Sequence, residues 1–289
     1  MRSLLFVPAD SDRKLEKGFS SGADALLIDL EDSVAAAKKP ESRQRAAAFL
    51  SAHIATVKRP RLIVRVNSLA SGLIDDDLHA VTGARPDAIL LPKAEGATSV
   101  VHLDAKLTTR EAINGIDEGH IKIIAIATET AASLFVAGTY RGASPRLIGL
   151  TWGAEDLSTD LGAETNRDAG GNFLDPYRLA RTLCLAGAAS AQVQPIDTVF
   201  VDFRDDAGLR RECEEARRDG FTGKMAIHPA QVDAINAVFT PTPEAIAQAR
   251  AIVAAFAANP DAGVIGIEGL MYDRPHLMRA RQLLARARV

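Results

Sequence analysis

Eight short apolar runs recur along the chain, and segments with a helical pattern or a polar connection separate them. Within each run, Leu, Ile and Val are nearly continuous rather than alternating with polar residues, which is typical of parallel strands buried on both faces. Repeated strand–helix units predict right-handed crossovers, and eight units favour closure into a (β/α)8 TIM barrel, an α/β fold. The runs span residues 3–7, 25–30, 62–66, 88–91, 122–127, 146–151, 197–201 and 224–227.

An open, doubly wound sheet is the alternative architecture. The dinucleotide-binding form of that sheet carries a GxGxxG turn after its first strand. Here Pro8-Ala9-Asp10 follows the first run instead, so the barrel is favoured. Helical patterns between and after the runs cover residues 41–57, 130–140, 176–191, 207–219 and 229–239.

The barrel pattern ends at a Thr-Pro-Thr-Pro segment, residues 240–243, which is a clear break. We therefore expect a barrel domain at 1–240 and a C-terminal helical extension at 241–289. In the extension, the pattern predicts a helix at 244–258, a Gly-rich loop at 259–269 and a last helix that begins near Pro275.

The composition excludes several classes of protein. The 289 residues carry 34 basic and 37 acidic side chains, a net charge of −3, and only 5% aromatics, so a nucleic-acid partner is not expected. No run of about 18 uncharged apolar residues is present, so a membrane span is not expected. Cys184 and Cys213 lie in no CxxC or Cys/His pattern, which disfavours zinc and a disulfide framework. A cytoplasmic location fits these features.

Polar residues follow most of the apolar runs. In a TIM barrel the active site lies at the carboxyl ends of the strands, so these residues are expected to meet at one mouth of the barrel. The residues at this mouth are Glu31, Asp32, Arg65, Lys93, Glu129, Asp156 and His228.

Each of these residues also has a purely structural interpretation. An acid such as Glu129 or Asp156 stabilises the start of a helix. Arg65, at the end of a buried strand, needs a buried partner, so it forms either a structural ion pair or an anion clamp. Lys93 fits a solvated loop lysine equally well, and His228 is best explained as a cap next to Pro229.

Several carboxylates around one mouth repel each other, and a hard divalent cation would relieve that repulsion. Mg²⁺ prefers oxygen ligands, keeps several waters and usually takes one or two protein carboxylates. Glu129 and Asp156 follow adjacent runs and suit this role. Because no histidine pair has ligand spacing, magnesium, with manganese as its alternative, is favoured over zinc.

Eight segments of the chain resemble the HpcH/HpaI aldolase and citrate lyase β-subunit family, in particular the citrate lyase β-like branch that includes malyl-CoA and citramalyl-CoA lyases. They occur in the family's order over nearly the whole chain. The segments are LLFVPAD, GADALLIDLEDSV, VRVN, LPKAE, ATETAASL, GLTWGAEDLSTDLGA, GKMAIHPAQV and GLMYDRPH.

The resemblance implies a TIM barrel whose extension acts as a lid, in a homotrimer or a larger assembly of trimers. It implies Mg²⁺ at Glu129 of the ETA motif and at Asp156 of the WGAED motif. Asp273 of the GLMYDRPH motif is expected to be the catalytic acid/base, supplied by a neighbouring subunit. Arg65 is expected to hold a substrate carboxylate or keto oxygen.

Further contacts are implied around these four residues. Glu31 and Asp32 would hydrogen-bond metal-bound waters. Substrate is expected to contact Gly153 and Ala154 in addition to Arg65 and Glu129. Arg13 and Lys14, in the first strand–helix connection, are candidates for the phosphates of coenzyme A, although a solvated helix face explains them equally well. The family's usual Gly after VP is Ala9 here, its Arg-Pro reads Asp12-Arg13-Lys14, and Tyr272 replaces an aliphatic residue before Asp273.

The function expected from this resemblance is Mg²⁺-dependent cleavage, or formation, of a 3-hydroxyacyl-CoA such as malyl-, citramalyl- or citryl-CoA, giving a 2-oxo acid and acetyl- or acyl-CoA. Four alternatives stay open. They are a citrate lyase β subunit acting on an acyl-carrier-protein thioester, an aldolase of free hydroxy-keto acids, a malyl-CoA thioesterase or malate-synthase-like enzyme, and a barrel that has lost catalysis and serves in assembly.

Overall fold

Eight parallel strands close into a barrel in the computed structural model, which describes residues 1–287. Each strand pairs with the next along the chain, and the first pairs with the eighth. The strands are β1 (Ser3–Pro8), β2 (Ala25–Asp29), β3 (Arg61–Arg65), β4 (Ala88–Leu91), β5 (Lys122–Thr128), β6 (Leu147–Trp152), β7 (Gln194–Asp197) and β8 (Gly223–Ala226). The predicted TIM barrel is confirmed.

Helices alternate with the strands and continue after the last one. The helices are α1 (Asp12–Phe19), α2 (Lys39–His53), α3 (Ile74–Val81), α4 (Ala97–Ile113), α5 (Ala131–Leu134), α6 (Ala154–Asp160), α7 (Asp175–Ala191), α8 (Asp206–Asp219), α9 (Val232–Phe239), α10 (Pro243–Ala258) and α11 (Arg274–Arg286). Short 3₁₀ turns lie at Ala36–Lys38, Leu69–Ser71, Thr82–Ala84, Ala137–Tyr140 and Pro229–Gln231. None of the helices in residues 1–287 is long and apolar enough to span a bilayer.

Apolar side chains fill the interior of the barrel, as the continuous Leu, Ile and Val runs predict. The buried set includes Leu4, Leu27, Ile63, Leu90, Ile124, Ile126, Ile196 and Met225. Because apolar side chains fill the interior, a pocket lined by charged side chains is expected at the ends of the strands. The strand ends therefore determine where a site can form.

The seventh strand differs from the prediction. Residues 197–201 were expected to be extended, but the strand spans Gln194–Asp197. The β-branched and aromatic residues after Asp197 imitate a strand, yet they form the following connection, in which Val201 and Phe203 are exposed. The predicted helix at 130–140 is also two shorter pieces, α5 and a 3₁₀ turn.

The chain divides into two compact units, residues 1–236 and 237–289. The second unit contains α10, α11 and a hairpin of β9 (Val264–Ile267) and β10 (Leu270–Asp273). The sequence predicts a loop at 259–269, which covers the first part of this hairpin. Its turn is Glu268-Gly269, where both φ angles are positive (49° and 80°), the conformation of a two-residue hairpin turn.

Apolar packing stabilises the second unit. Tyr272, the residue that departs from the family pattern, is buried there beside Phe256 and Leu277. Its hydroxyl accepts a hydrogen bond from Gln248 Nε2 at 3.1 Å, and its ring contacts His276 edge-to-face. The aromatic ring thus ties α10 to the start of α11.

Candidate active site

Arg65 and Asp29 form a buried ion pair at the ends of β3 and β2, where they lie opposite each other in the sheet register. Arg65 Nε donates to Asp29 Oδ1 and Arg65 Nη2 to Asp29 Oδ2, both at 2.7 Å. Burial alone would raise the pKa of Asp29, but the Arg65 guanidinium outweighs burial and lowers it. The structural ion pair, one of the two alternatives for Arg65, is therefore present. Of the three guanidinium nitrogens, Nη1 is the one that Asp29 does not bind.

Glu31 lies two residues after β2 and meets that third nitrogen. Its Oε2 is 3.0 Å from Arg65 Nη1, although no hydrogen bond of good geometry reaches this buried atom within the described residues. Its Oε1 accepts from Lys93 Nζ at 2.8 Å. Burial raises the pKa of Glu31 to about 6, against the opposing charges of Arg65 and Lys93. Asp32, next to it, is half exposed and lies 3.6 Å from Arg65 Nη1.

Lys93 follows β4, and its ammonium contacts three carboxylates. Its Nζ is 2.8 Å from Glu31 Oε1, 3.4 Å from Asp156 Oδ1 and 3.9 Å from Asp32 Oδ2. Its backbone N–H donates to Glu129 Oε1, with φ at +51°, a conformation unusual for a residue with a side chain. The interpretation of Lys93 as a solvated loop lysine is wrong.

Glu129 and Asp156 follow β5 and β6. Glu129 is buried, with only 2% of its surface exposed, whereas Asp156 lies in the first turn of α6 with a partly exposed side chain. Burial, and then the negative charge of Asp156, raises the pKa of Glu129 well above its usual range. Lys93 contacts both carboxylates, Glu129 through its backbone N–H and Asp156 through its ammonium, and burial destabilises Glu129 as an anion.

Gly153 connects β6 to α6 directly against Glu129. A Cβ at this position would lie 3.0 Å from both Cβ and Oε2 of Glu129, so a side chain would crowd the carboxylate. Ala154, the first residue of α6, is buried. Glycine therefore leaves open space beside the carboxylate oxygen of Glu129 that does not face Lys93.

We call Glu31, Arg65, Lys93, Glu129 and Asp156 the mouth cluster. Its donor chemistry fits a magnesium ion held by two carboxylates, because Glu129 and Asp156 supply oxygen ligands and waters complete such a site. The uncompensated charge of Glu129 and the space left by Gly153 agree with this fit. In residues 1–287, no group of three or more His, Cys, Asp or Glu side chains is arranged as a complete metal site.

A second set of residues, which sequence reasoning missed, holds the loop after β2. Lys39 Nζ donates to the carbonyls of Leu30 and Glu31 and to Asn67 Oδ1, each at 2.8 Å. Asn67 in turn donates to the Leu30 carbonyl at 3.1 Å. The asparagine of the VRVN segment was the available signal, since a polar residue directly after a buried strand needs a partner.

The other predicted residues have contacts of their own. Arg13 and Lys14 are exposed on α1, and Lys14 Nζ pairs with Asp10 at 3.1 Å. His228 Nδ1 accepts from the Ala230 N–H at 3.2 Å, so the predicted cap is confirmed. Asp273 belongs to the second unit, where it is the N-cap of α11.

Asp273 is half exposed and pairs with His276 Nδ1, whose hydrogen bond lowers the pKa of the carboxyl. Its Oδ1 also accepts from the backbone N–H of His276 at 3.3 Å. The structure thus confirms that Asp273 caps α11, the structural alternative for this residue. A catalytic role of Asp273 stays a prediction.

A model of the family "HpcH/HpaI aldolase/citrate lyase" matches residues 2–229 of the chain. The chain belongs to this family. A second model, "C-C_Bond_Lyase of the TIM-Barrel fold", matches residues 177–289. The chain is thus an enzyme of a carbon–carbon bond lyase family, as the ordered motifs predicted.

Relatives with two different activities resemble the chain about equally. Citrate lyase subunit beta of Leuconostoc mesenteroides is 33% identical, with 98% of this chain and 92% of the relative covered. A (3S)-malyl-CoA thioesterase of Cereibacter sphaeroides is 36% identical, with 99% and 94% covered. The crystal structure of the protein CitE from Mycobacterium tuberculosis, in complex with magnesium, acetoacetate and coenzyme A, superposes with a TM-score of 0.79 at 31% identity, covering 100% of this chain and 98% of CitE.

Proposed function

We propose that this enzyme is a Mg²⁺-dependent lyase that cleaves a 3-hydroxyacyl-CoA, such as malyl-, citramalyl- or citryl-CoA, into a 2-oxo acid and acetyl- or acyl-CoA, or runs the reverse condensation. The observation that carries the proposal is the mouth cluster. Glu129, a buried carboxylate whose pKa is raised well above its usual range, and Asp156, which contacts the Lys93 ammonium at 3.4 Å, lie at one mouth with the cationic side chains of Arg65 and Lys93.

Glu129 and Asp156 would hold the cation, and Glu31 and Asp32 would accept hydrogen bonds from its waters. When bound, the cation supplies Lewis acidity that favours ionisation of the substrate hydroxyl. Manganese is an alternative to magnesium, because both accept oxygen ligands. The magnesium in the CitE structures supports this assignment.

Arg65 orients the anionic end of the substrate in this proposal. Its fork is held by Asp29, so Nη1 keeps a fixed direction toward the mouth. A preorganised positive group of this kind stabilises developing negative charge without reorganising during the reaction. Gly153 and Ala154 would line the substrate on the β6 side, together with Glu129.

Cleavage moves one proton within the site. The hydroxyl passes its proton to water, the bond between the carbinol carbon and the α-carbon of the thioester breaks, and a 2-oxo acid and a thioester enolate result. A general acid then protonates the enolate at carbon, so no net proton is consumed. We assign this acid to Asp273, which in the condensation direction would abstract the proton as a base.

Coenzyme A is the proposed carrier of the acyl group. The coenzyme A in the CitE structure and the activity of the malyl-CoA thioesterase support this choice. Arg13 and Lys14 are proposed for its phosphates, because both are basic and exposed on α1, directly after the first strand.

Hydrolysis of the hydroxyacyl thioester is the second candidate, since a malyl-CoA thioesterase is as similar to the chain as the citrate lyase subunits are. The two candidates differ in their products. A lyase alone releases acetyl-CoA, whereas a thioesterase releases free acid and coenzyme A. Activity on an acyl-carrier-protein thioester, or on free hydroxy-keto acids, would instead point to the remaining alternatives.

A mass-spectrometric screen tests the proposal directly. The purified chain is incubated with Mg²⁺ and separately with malyl-, citramalyl- and citryl-CoA, with the corresponding free acids, and with an acyl-carrier-protein thioester. We expect a 2-oxo acid and an acyl-CoA from at least one CoA thioester, and none with excess chelator. If none of the CoA thioesters turns over while a free acid or a carrier-protein thioester does, the proposed substrate class is wrong.

A mixing experiment tests the proposal that Asp273 acts on the site of a neighbouring subunit in a trimer-based assembly. Asp273→Asn and Glu129→Gln should each be inactive alone. Hetero-oligomers of the two, verified by mass, should regain part of the activity, because some sites combine an intact Glu129 with an intact Asp273. If verified hetero-oligomers stay inactive, or if the active enzyme is strictly monomeric, Asp273 does not act in trans.

A further inference from the structure

The ammonium of Lys93 lies among the carboxylates that are proposed to hold and surround the divalent cation. It is 2.8 Å from Glu31 Oε1, 3.4 Å from Asp156 Oδ1 and 3.9 Å from Asp32 Oδ2. Three carboxylates thus share one positive charge. The contact of Lys93 with Asp156 is longer than its contact with Glu31. It is therefore the weaker of these two ion pairs and the easier one to break.

Lys93 is fixed at its backbone and adjustable at its tip. The positive φ of +51° and the N–H···Oε1 bond to Glu129 hold the main chain. About a third of the side chain (32%) is exposed, so the ammonium has a path toward solvent. Arg65 differs in this respect, because two of its nitrogens are held by Asp29 and 11% of its side chain is exposed.

We propose that Lys93 is a built-in counter-cation that competes with the divalent cation for Asp156 and thereby sets the affinity of the site. This inference rests on the proposed assignment of the cation to Glu129 and Asp156. A positive charge within a few ångströms of a bound Mg²⁺ repels it, and the repulsion is strong where water is largely excluded. Binding of the cation therefore requires the ammonium to leave Asp156 and remain on Glu31 and Asp32.

The same arrangement predicts a role in the cation-free protein. Without Lys93, Glu31 would keep only the Nη1 contact of Arg65, and Asp156 would lose its ion pair. Removing the ammonium should thus lower stability in chelator and increase the stabilisation that the divalent cation gives. A lysine that merely packs in the loop would not couple these two quantities.

Direct binding of Mn²⁺, followed by electron paramagnetic resonance at pH 8, tests the competition without an activity assay. Lys93→Met removes the charge and keeps much of the side-chain length. We expect it to bind Mn²⁺ about tenfold more tightly than the unchanged chain, which corresponds to about 1.4 kcal/mol. Lys106→Met is the matched control, because it removes the same charge from a surface ion pair between Lys106 on α4 and Asp75 on α3, and its affinity should not change.

Lys93→Asn guards against a folding failure of the Met variant, because asparagine tolerates positive φ and its side chain is too short to reach Asp156. It should also bind Mn²⁺ more tightly. Equal or weaker binding by both folded variants overturns the inference, while Mn²⁺ binding and thioester cleavage by the unchanged chain would leave the proposed function intact. If the unchanged chain binds no Mn²⁺, both proposals fail.

Discussion

Buried glutamates lie at both ends of strands β5 and β6, but their pKa values are shifted in opposite directions. At the amino-terminal end lies the Arg146 cluster, which we define as Arg146, Glu111 and Asp104. At the carboxyl-terminal end lies the mouth cluster, with Glu129 directly after β5. Each end buries a glutamate, so the comparison isolates what surrounds the carboxylate.

In the Arg146 cluster one guanidinium hydrogen-bonds both carboxylates. Arg146 Nη1 and Nη2 donate to the two oxygens of Glu111 at 2.8 and 2.6 Å, and Nε donates to Asp104. The backbone N–H groups of Gly119 and Ile121 add two more hydrogen bonds to Glu111. Burial would raise the pKa of Glu111, but these donors outweigh burial and lower it. This end of the barrel is built for stability.

In the mouth cluster the balance is reversed. Glu129 accepts one backbone N–H and has Asp156 and Glu31 as like-charged neighbours, so its pKa rises well above its usual range. Strained carboxylates of this kind cost stability unless a cation or a substrate relieves them, and such groups cluster at functional sites. The comparison therefore distinguishes a structural ion cluster from a candidate active site by compensation rather than by residue type.

Glu129→Gln should show the largest effect. The change removes a proposed metal ligand, so turnover of the thioester should fall on the order of 10³-fold or more, because a Lewis acid contributes several kcal/mol to the transition state. Stability in chelator should hold or rise, since an uncompensated buried charge is lost. Calorimetric titration with Mg²⁺, steady-state assays and urea unfolding measure the three quantities. An unchanged Mg²⁺ affinity and rate would contradict the assignment.

Glu111→Gln makes the same substitution at the compensated end and should have the opposite result. Breaking a buried pair leaves Arg146 without its full partner, so the free energy of unfolding should fall by about 3–5 kcal/mol. Mg²⁺ affinity should be unchanged where the variant is folded. Urea unfolding of both variants side by side checks this contrast. A variant as stable as the unchanged chain would show that compensation at this end contributes little.

Much of the fold could be predicted from the sequence because strand bodies read as continuous apolar runs. The first six strands and the eighth lie within a residue or so of the runs. The seventh was misplaced because residues after Asp197 have strand-like composition but no pairing partner. The β9–β10 hairpin was missed because its signal, Glu268-Gly269, lies in a segment whose several glycines resemble a loop.

The sequence predicts which residues lie together at the candidate site, but it does not predict how they pair. A placement rule collects Glu31, Arg65, Lys93 and Glu129 at the strand ends, but it does not say which charges compensate one another. The pairing of Arg65 with Asp29 depends on strand register, and the reach of Lys93 depends on an unusual backbone angle. Both properties arise from tertiary structure, so a single sequence does not reveal them.

Gly153→Ala sharpens the comparison by crowding the mouth cluster without changing its charge. The added methyl group would lie 3.0 Å from Glu129 Oε2, so the carboxylate must shift by a few tenths of an ångström. We expect Mg²⁺ affinity to fall by about tenfold, in the range found when supports of a metal site are disturbed. Gly138→Ala is the control, because its methyl group would meet no atom within 4 Å. Equal Mg²⁺ affinities of the two variants would show that Gly153 does not shape the cation site.

The smallest expected effect is a difference in pH dependence between Glu31 and Glu111, measured in chelator. The pKa of Glu31 is raised to about 6 by burial, so between its unfolded value of 4.5 and 6 the folded chain binds more protons than the unfolded chain. Stability contributed by protonated Glu31 is thus present at low pH and lost as pH rises through 6. Relative to the unchanged chain, Glu31→Gln should gain about 1 kcal/mol across this window.

Glu111 should behave in the opposite sense, because its folded pKa is lowered: its stabilisation is present above the unfolded pKa and is lost as pH falls through the lower folded value. Relative to the unchanged chain, Glu111→Gln should therefore improve as pH decreases below about 4.5. Urea unfolding at constant ionic strength, at half-unit steps of pH, gives both difference curves. Parallel curves for the two variants would mean that the two ends of β5 and β6 do not differ in charge compensation, and the contrast between the Arg146 cluster and the mouth cluster would fail.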